Sequence, residues 1–250
     1  MAAGNVAGNW QIQSSASSTS ASPQGIVLLG ALASSGSQVS GTFRFTNLAQ
    51  PEECGASEVV ALSGSVDGKN TLTLASGSLS NGSTIKVSLK IIGAQPYSGL
   101  GTVEVDGGAC ALRSASAIGS QVASTTGTFT GTLSPQVSGA AGSVAPGTAT
   151  MILTQSDTPG TDGQFTTSGT LSYQFGACSG KLPLNGAVSG VAMNFWDVIF
   201  SNDGTQQVNL SGTTNLSATQ IEAGYLSISP APCSTDPDSS AVFNGKLNRE

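Results

Sequence analysis

The chain is expected to be all-β, folded as a tandem duplication of an up-and-down antiparallel barrel with approximately eight strands per copy. Three observations predict this. Short runs of alternating apolar and polar residues recur along the whole length, whereas helical periodicity is hard to find. Turn signals punctuate those runs, with 33 glycines among 250 residues. One stretch also occurs twice. Cys54 is followed by Leu62-Ser-Gly64-Ser-Val66-Asp-Gly68 and then by Gly101-Thr-Val103-Glu-Val105 leading to Cys110. Cys178 is followed by Leu184-Asn-Gly186-Ala-Val188-Ser-Gly190 and then by Gly224 leading to Cys233. The two cysteine steps are nearly equal in length, so one β-rich unit is written twice. The boundary is expected near Ser124, giving repeats 1–124 and 125–250. Each is large enough to bury its own core.

In the first copy, Asn9–Gln13 alternates as an opening strand, and the polar stretch Ser14–Gln24 is a loop. Gly25–Leu32 and Gln38–Asn47 are strands joined by the Ser34-Ser-Gly36-Ser turn; Val39, Phe43 and Phe45 share a face by period-two spacing. Val59–Val66 and Thr71–Ala75 flank Asp67-Gly68, a hairpin signal. Thr84–Ile92 sends Ile85, Val87, Leu89 and Ile91 one way and Lys86 and Lys90 the other. Tyr97–Val105 follows, and a last strand falls within Ala111–Ala123. The second copy repeats the order. Its strands are Gly127–Leu133, Ala149–Gln155, Gln164–Phe175, Leu182–Val188, Val191–Phe200, Gln206–Gly212, Gln220–Ser229 and Ala241–Leu247, with a long polar loop at Ser134–Gly147.

An open eight-stranded meander leaves two unpaired edges, and closure removes them. Two β-sandwiches are the alternative, because alternation alone does not separate a sandwich from a barrel. A single membrane barrel is disfavoured: aromatics make up 5% of the chain and form no girdles.

Strand direction constrains the cysteines. Cys54 and Cys110 follow strands four apart that point the same way, so both lie at one end of their copy, and the same holds for Cys178 and Cys233. With no histidine and no close Cys-x-x-Cys pairs, two disulfides, Cys54–Cys110 and Cys178–Cys233, are expected rather than a four-cysteine zinc site.

The formal net charge is −6, and the eight basic residues make no patch. Nucleic acid and anionic membrane surfaces are therefore not expected partners. No run of about 18 apolar residues is present to form a spanning helix. The opening Met1-Ala-Ala-Gly-Asn-Val-Ala-Gly8 has neither the basic nor the apolar region of a targeting segment. Export would then imply a mature chain with an added Met1.

No catalytic constellation is legible. Absence of histidine removes the commonest general base and the triads built on it. Glu104 and Asp106 share a strand face and read as a solvated surface beside inward Val103 and Val105. Asp236-Pro-Asp238 reads as a turn rather than a calcium loop. The densest aromatic site is Asn194-Phe195-Trp196-Asp197. Alternation sends Phe195 and Trp196 to opposite faces, one into the core and one outward. A Trp flanked by Asn194 and Asp197 suits stacking on a sugar or anchoring a partner; the competing reading packs Trp196 against the other copy. Ser14–Gln24 and Ser134–Gly147 open at the cysteine-bearing ends. Long loops on a pinned scaffold are a common place for binding, so contacts are expected at those ends.

Gly8-Asn-Trp10 at the first strand, Gly41-Thr-Phe43 and the meander together resemble calycin-type barrels, the lipocalin-like and avidin-like folds, including small lipocalin-like lipoproteins of bacteria. The second copy departs by having Gly127-Thr-Phe129 in place of Gly-x-Trp. The resemblance implies a ligand inside the barrel or at its mouth. It also implies a basic residue of the last strand packed on the opening aromatic; Arg113 and Lys246 lie in the two final strands.

The expected function is that of an exported non-enzymatic binding protein, extracellular, cell-surface or periplasmic, in the manner of a lipoprotein. Its partner would be a small molecule, glycan or protein, with no cofactor, no metal and no membrane insertion by this chain. The alternative is a structural, adhesive or assembly-forming extracellular repeat.

Overall fold

A computed structural model describes residues 6–14, 25–47, 58–107, 112–136, 146–201, 204–234, 236 and 238–250. Eight strands form the first barrel: β1 (Gly8–Ser14), β2 (Ile26–Ser35), β3 (Gln38–Asn47), β4 (Glu58–Val66), β5 (Thr71–Ser76), β6 (Thr84–Ile92), β7 (Ser98–Asp106) and β8 (Leu112–Val122). Eight more form the second: β9 (Gly127–Pro135), β10 (Gly147–Gln155), β11 (Phe165–Phe175), β12 (Cys178–Ser189), β13 (Ala192–Ser201), β14 (Gly204–Thr214), β15 (Gln220–Ser229) and β16 (Ala241–Arg249). Among the described residues there is no helix.

Each set pairs antiparallel in sequence order and then closes on itself. In the first barrel the closing register runs from Asn9↔Val122 to Ser14↔Ala117; in the second it runs from Phe243↔Pro135 to Arg249↔Phe129. Closure decides against the two-sandwich alternative, since a sandwich keeps free edges in each sheet. Two compact units divide the chain: Met1–Ala123 with Pro159–Gln164, and Ser124–Thr158 with Phe165–Glu250.

Alternation does the sorting. In β6, Ile85, Val87, Leu89 and Ile91 are buried while Lys86, Ser88 and Lys90 are exposed. The inward residues of the first barrel form one contiguous cluster around Trp10, Phe43 and Phe45, and those of the second form another around Phe129, Phe175, Phe195 and Phe243. Phe175 and Phe243 stack at 4.3 Å between ring centroids, and Tyr173 lies 5.0 Å from Phe175. Burial pushes the Tyr173 hydroxyl above its usual pKa. An eight-stranded barrel has an interior on the scale of its own side chains, and the buried clusters line it.

Turn chemistry follows the expected residues with one adjustment. The β4–β5 hairpin does contain Asp67-Gly68, but its loop runs on to Asn70, which takes the left-handed φ of 60°. Asp67 Oδ1 accepts hydrogen bonds from the amides of Lys69 and Thr71, both at 2.8 Å. Those bonds, the one from Thr71 foremost, hold its carboxyl below the ordinary carboxylate range. The strand β12 also differs from expectation: it begins at Cys178 itself, because Ser179, Gly180 and Lys181 pair with Gln174, Tyr173 and Ser172 of β11.

Candidate functional site

The two opening motifs are built alike and define one end of each barrel. Gly8 and Gly127 have φ of 128° and 152°, which lets the chain enter its first strand closely over the last one. Trp10 lies opposite Gln121 in β8, and Phe129 lies opposite Arg249 in β16. In the second barrel the Arg249 guanidinium stands 5.0 Å from the centre of the Phe129 ring. It donates from Nε to Ala218 O and from Nη2 to Ser124 O, both at 2.7 Å. The basic residue on the aromatic is therefore present, but it is Arg249 and not Lys246. Parity explains the choice: Arg249, at the exposed end of β16, has the parity of buried Phe243 and Leu247, whereas Lys246 has the opposite parity and lies 3.7 Å from Glu222. The Arg113 side chain lies outside the described residues.

Gln121 takes the equivalent place in the first barrel. Its Nε2 donates to Ala7 O at 2.7 Å, and its Oε1 accepts from the Tyr97 amide at 3.1 Å. Trp10 Nε1 donates to Val6 O at 2.7 Å, so the one polar atom of a fully buried ring is satisfied. Each latch joins the segment entering the first strand to the turn before the seventh. These ends are structural closures.

The opposite end of the second barrel carries the Cys178–Cys233 disulfide, with the two Cα atoms 5.7 Å apart. It ties the start of β12 to the connection following β15, and Cys178 packs against the core. The expected partner bridge, Cys54–Cys110, lies outside the described residues. So do 15–24 and 137–145, the greater part of the two loops on which contacts at the cysteine-bearing ends were expected.

The strand β13 separates its two aromatics. Phe195 is buried in the core, and Trp196 is 64% exposed, the most exposed large apolar side chain among the described residues. Asn194 is exposed beside it. Asp197 accepts a 2.7 Å hydrogen bond at Oδ2 from Asn185 Nδ2. In register, Trp196 faces Asn209 of β14 and Asn194 faces Ser211; those two in turn face Ser227 and Tyr225 of β15.

Tyr225 was not legible as part of this face. Strict alternation from Ile221 and Ala223 would turn it inward, but β15 is irregular between Ala223 and Leu226, and Gly224 and Tyr225 both point out. Tyr225 is 42% exposed. The signal that could have found it is Gly224, since a glycine inside a strand marks a bulge that re-aims its neighbour.

On the outer wall of the first barrel an open groove of about 380 Å³ crosses β4 to β7. Gly64 lies in it where a Cβ would run into the carbonyl of Thr73. Ser63, Thr73, Ser88 and Thr102 supply hydroxyls, and Lys86 and Glu104 bound it. Glu104 and Asp106 flank a lysine rather than each other: Lys86 faces Glu104 in register and lies 3.5 Å from Asp106. Inward Val103 and Val105 are buried on the same strand. Asp236 serves a turn: its Oδ1 accepts from the Asp238 amide at 3.0 Å. Among the described residues, no three His, Cys, Asp or Glu side chains gather in a way that could hold a metal ion.

The fold is thus that of a double up-and-down barrel with apolar interiors and an outer wall whose most exposed large apolar side chain among the described residues is Trp196. Compared with protein-family models, with curated proteins and with solved structures, the chain finds no match. Its functional reading rests on its own residues.

Proposed function

We propose that the chain is an exported, non-enzymatic binding protein that works from the outer wall of its barrels, in the manner of a surface or periplasmic lipoprotein. The carrying observation is a tryptophan left 64% exposed on a β-strand of a barrel whose inward residues form one contiguous apolar cluster. Exposing an indole forgoes a burial worth about 2 kcal/mol or more. A rigid wall of paired strands presents that ring without loop entropy to lose on contact. The disulfide supports an oxidising compartment. The Arg249–Phe129 stack supports kinship with calycin-type barrels in architecture, while the exposed indole of Trp196 favours the wall as the contact surface.

A second reading, an assembly-forming or adhesive repeat, draws on a different observation. Leu100 and Ile118 face each other on the outer wall of the first barrel, and both are exposed. Two adjacent apolar side chains are a small area for stable association, so binding at Trp196 remains the preferred reading.

Titration with a fluorescent fatty acid separates wall from calyx. The expected result is no saturable uptake. Saturable binding of one molecule per barrel would place the ligand inside and overturn the reading.

A further inference from the structure

Resting on that wall reading, we infer that the outward face of β13, β14 and β15 is a binding site for a neutral oligosaccharide. It would be held between Trp196 and Tyr225 over a floor of Asn209 and Ser211. Four features point to this class of ligand. The two exposed aromatic side chains lie on one continuous sheet face, two strands apart and one outward position offset along them. Strands about 4.8 Å apart with a rise of about 3.3 Å per residue put their Cα atoms ~12 Å apart, a span suited to a short oligosaccharide rather than a single sugar. Rings that present flat apolar faces match the C–H faces of pyranoses, and their polar tips match sugar hydroxyls at the rim.

The floor is the second feature. Between the aromatics lie Asn209 and Ser211, flanked by Asn194 and Ser227. Amides and hydroxyls both donate and accept, as sugar hydroxyls do. Thirdly, none of these four positions is charged. A charged polysaccharide or an acidic or basic peptide would find no counter-ion on the floor, whereas a neutral glycan needs none. The fourth is the bulge at Gly224–Tyr225, which turns outward a tyrosine that regular alternation would bury. Bulges re-aim side chains in this way beside functional sites. The groove on the first barrel has hydroxyls but no aromatic, and its lysine and glutamate face each other; it lacks the stacking element.

Affinity electrophoresis of the whole chain through gels containing soluble neutral β-glucan, α-glucan, mannan, xylan or galactan tests the assignment. Retardation by at least one of these is expected. Trp196→Ala and Tyr225→Ala should each weaken it roughly tenfold or more, a factor that corresponds to about 1.4 kcal/mol. Trp196→Phe should restore part of the retardation, because the stacking face returns. Melting temperatures of all variants should match the parent, which excludes unfolding as the cause. Retardation unchanged in both alanine variants would remove the site from this face. Retardation only by an acidic polysaccharide such as pectate would overturn the neutral class. If no polysaccharide retards the chain, the oligosaccharide inference fails by itself, while the wall reading stands or falls on the fatty-acid titration.

Discussion

Replacing Trp10 with alanine is expected to destabilise the first barrel by about 4 kcal/mol, whereas the same change at Trp196 should cost less than about 0.5 kcal/mol. The two residues are the chain's only tryptophans, and their environments are opposite. Trp10 is 0% exposed, belongs to the core cluster and satisfies its indole N–H on Val6. Truncation removes a large apolar burial, leaves a cavity and leaves the Val6 carbonyl without that donor. Domains of this kind have about 5–15 kcal/mol of stability, so the first barrel would approach its unfolding threshold at room temperature. Trp196 leaves most of its surface in water already. Denaturant unfolding followed by circular dichroism checks the pair. Equal losses at the two positions would contradict the assignment of one to the core and one to the wall.

The second large effect concerns the bridge. Removing it in Cys178→Ala/Cys233→Ala frees a loop whose ends are 55 residues apart in sequence. In the chain-entropy model that costs the second barrel about 4 kcal/mol. The effect should appear as a lower denaturant midpoint for the unfolding of β9–β16, and reductant added to the parent chain should reproduce it. Alanine is the appropriate replacement because Cys178 packs against apolar neighbours, where a serine hydroxyl would add its own desolvation cost. A midpoint unaffected by both treatments would show that the barrel, closed by its own hydrogen-bonded register, needs no covalent tie.

Architecture was largely legible because alternation, turn residues and duplication all point the same way. The strands β3, β6 and β15 occupy the residues that their periodicity assigns. What was not legible is where regularity breaks. The strand β12 starts earlier than its apolar run, since backbone pairing to β11 recruits Ser179, Gly180 and Lys181, which carry no apolar signal. The guanidinium on Phe129 comes from Arg249, two residues past Leu247, where the apolar pattern had run out although the parity still held. Tyr225 escaped notice because a single-residue bulge reverses the face of everything that follows it. By contrast, the split of Phe195 from Trp196 follows directly from period-two geometry. The chemistry of a binding face depends on residues from three strands, and only the register brings Trp196, Asn209 and Tyr225 together.

The measurement that tests the wall account most directly uses the two tryptophans separately. With Trp10→Phe, the sole tryptophan is Trp196, and with Trp196→Phe it is Trp10; excitation at the red edge of the indole band avoids the three tyrosines. Free Trp196 should emit at long wavelength and be strongly quenched by acrylamide. A polysaccharide that retards the chain should shift that emission to shorter wavelength and protect it from quencher. Trp10 should emit at short wavelength, resist acrylamide and ignore the same polysaccharide. A response from Trp10 with none from Trp196 would place binding in the barrel interior and contradict the account.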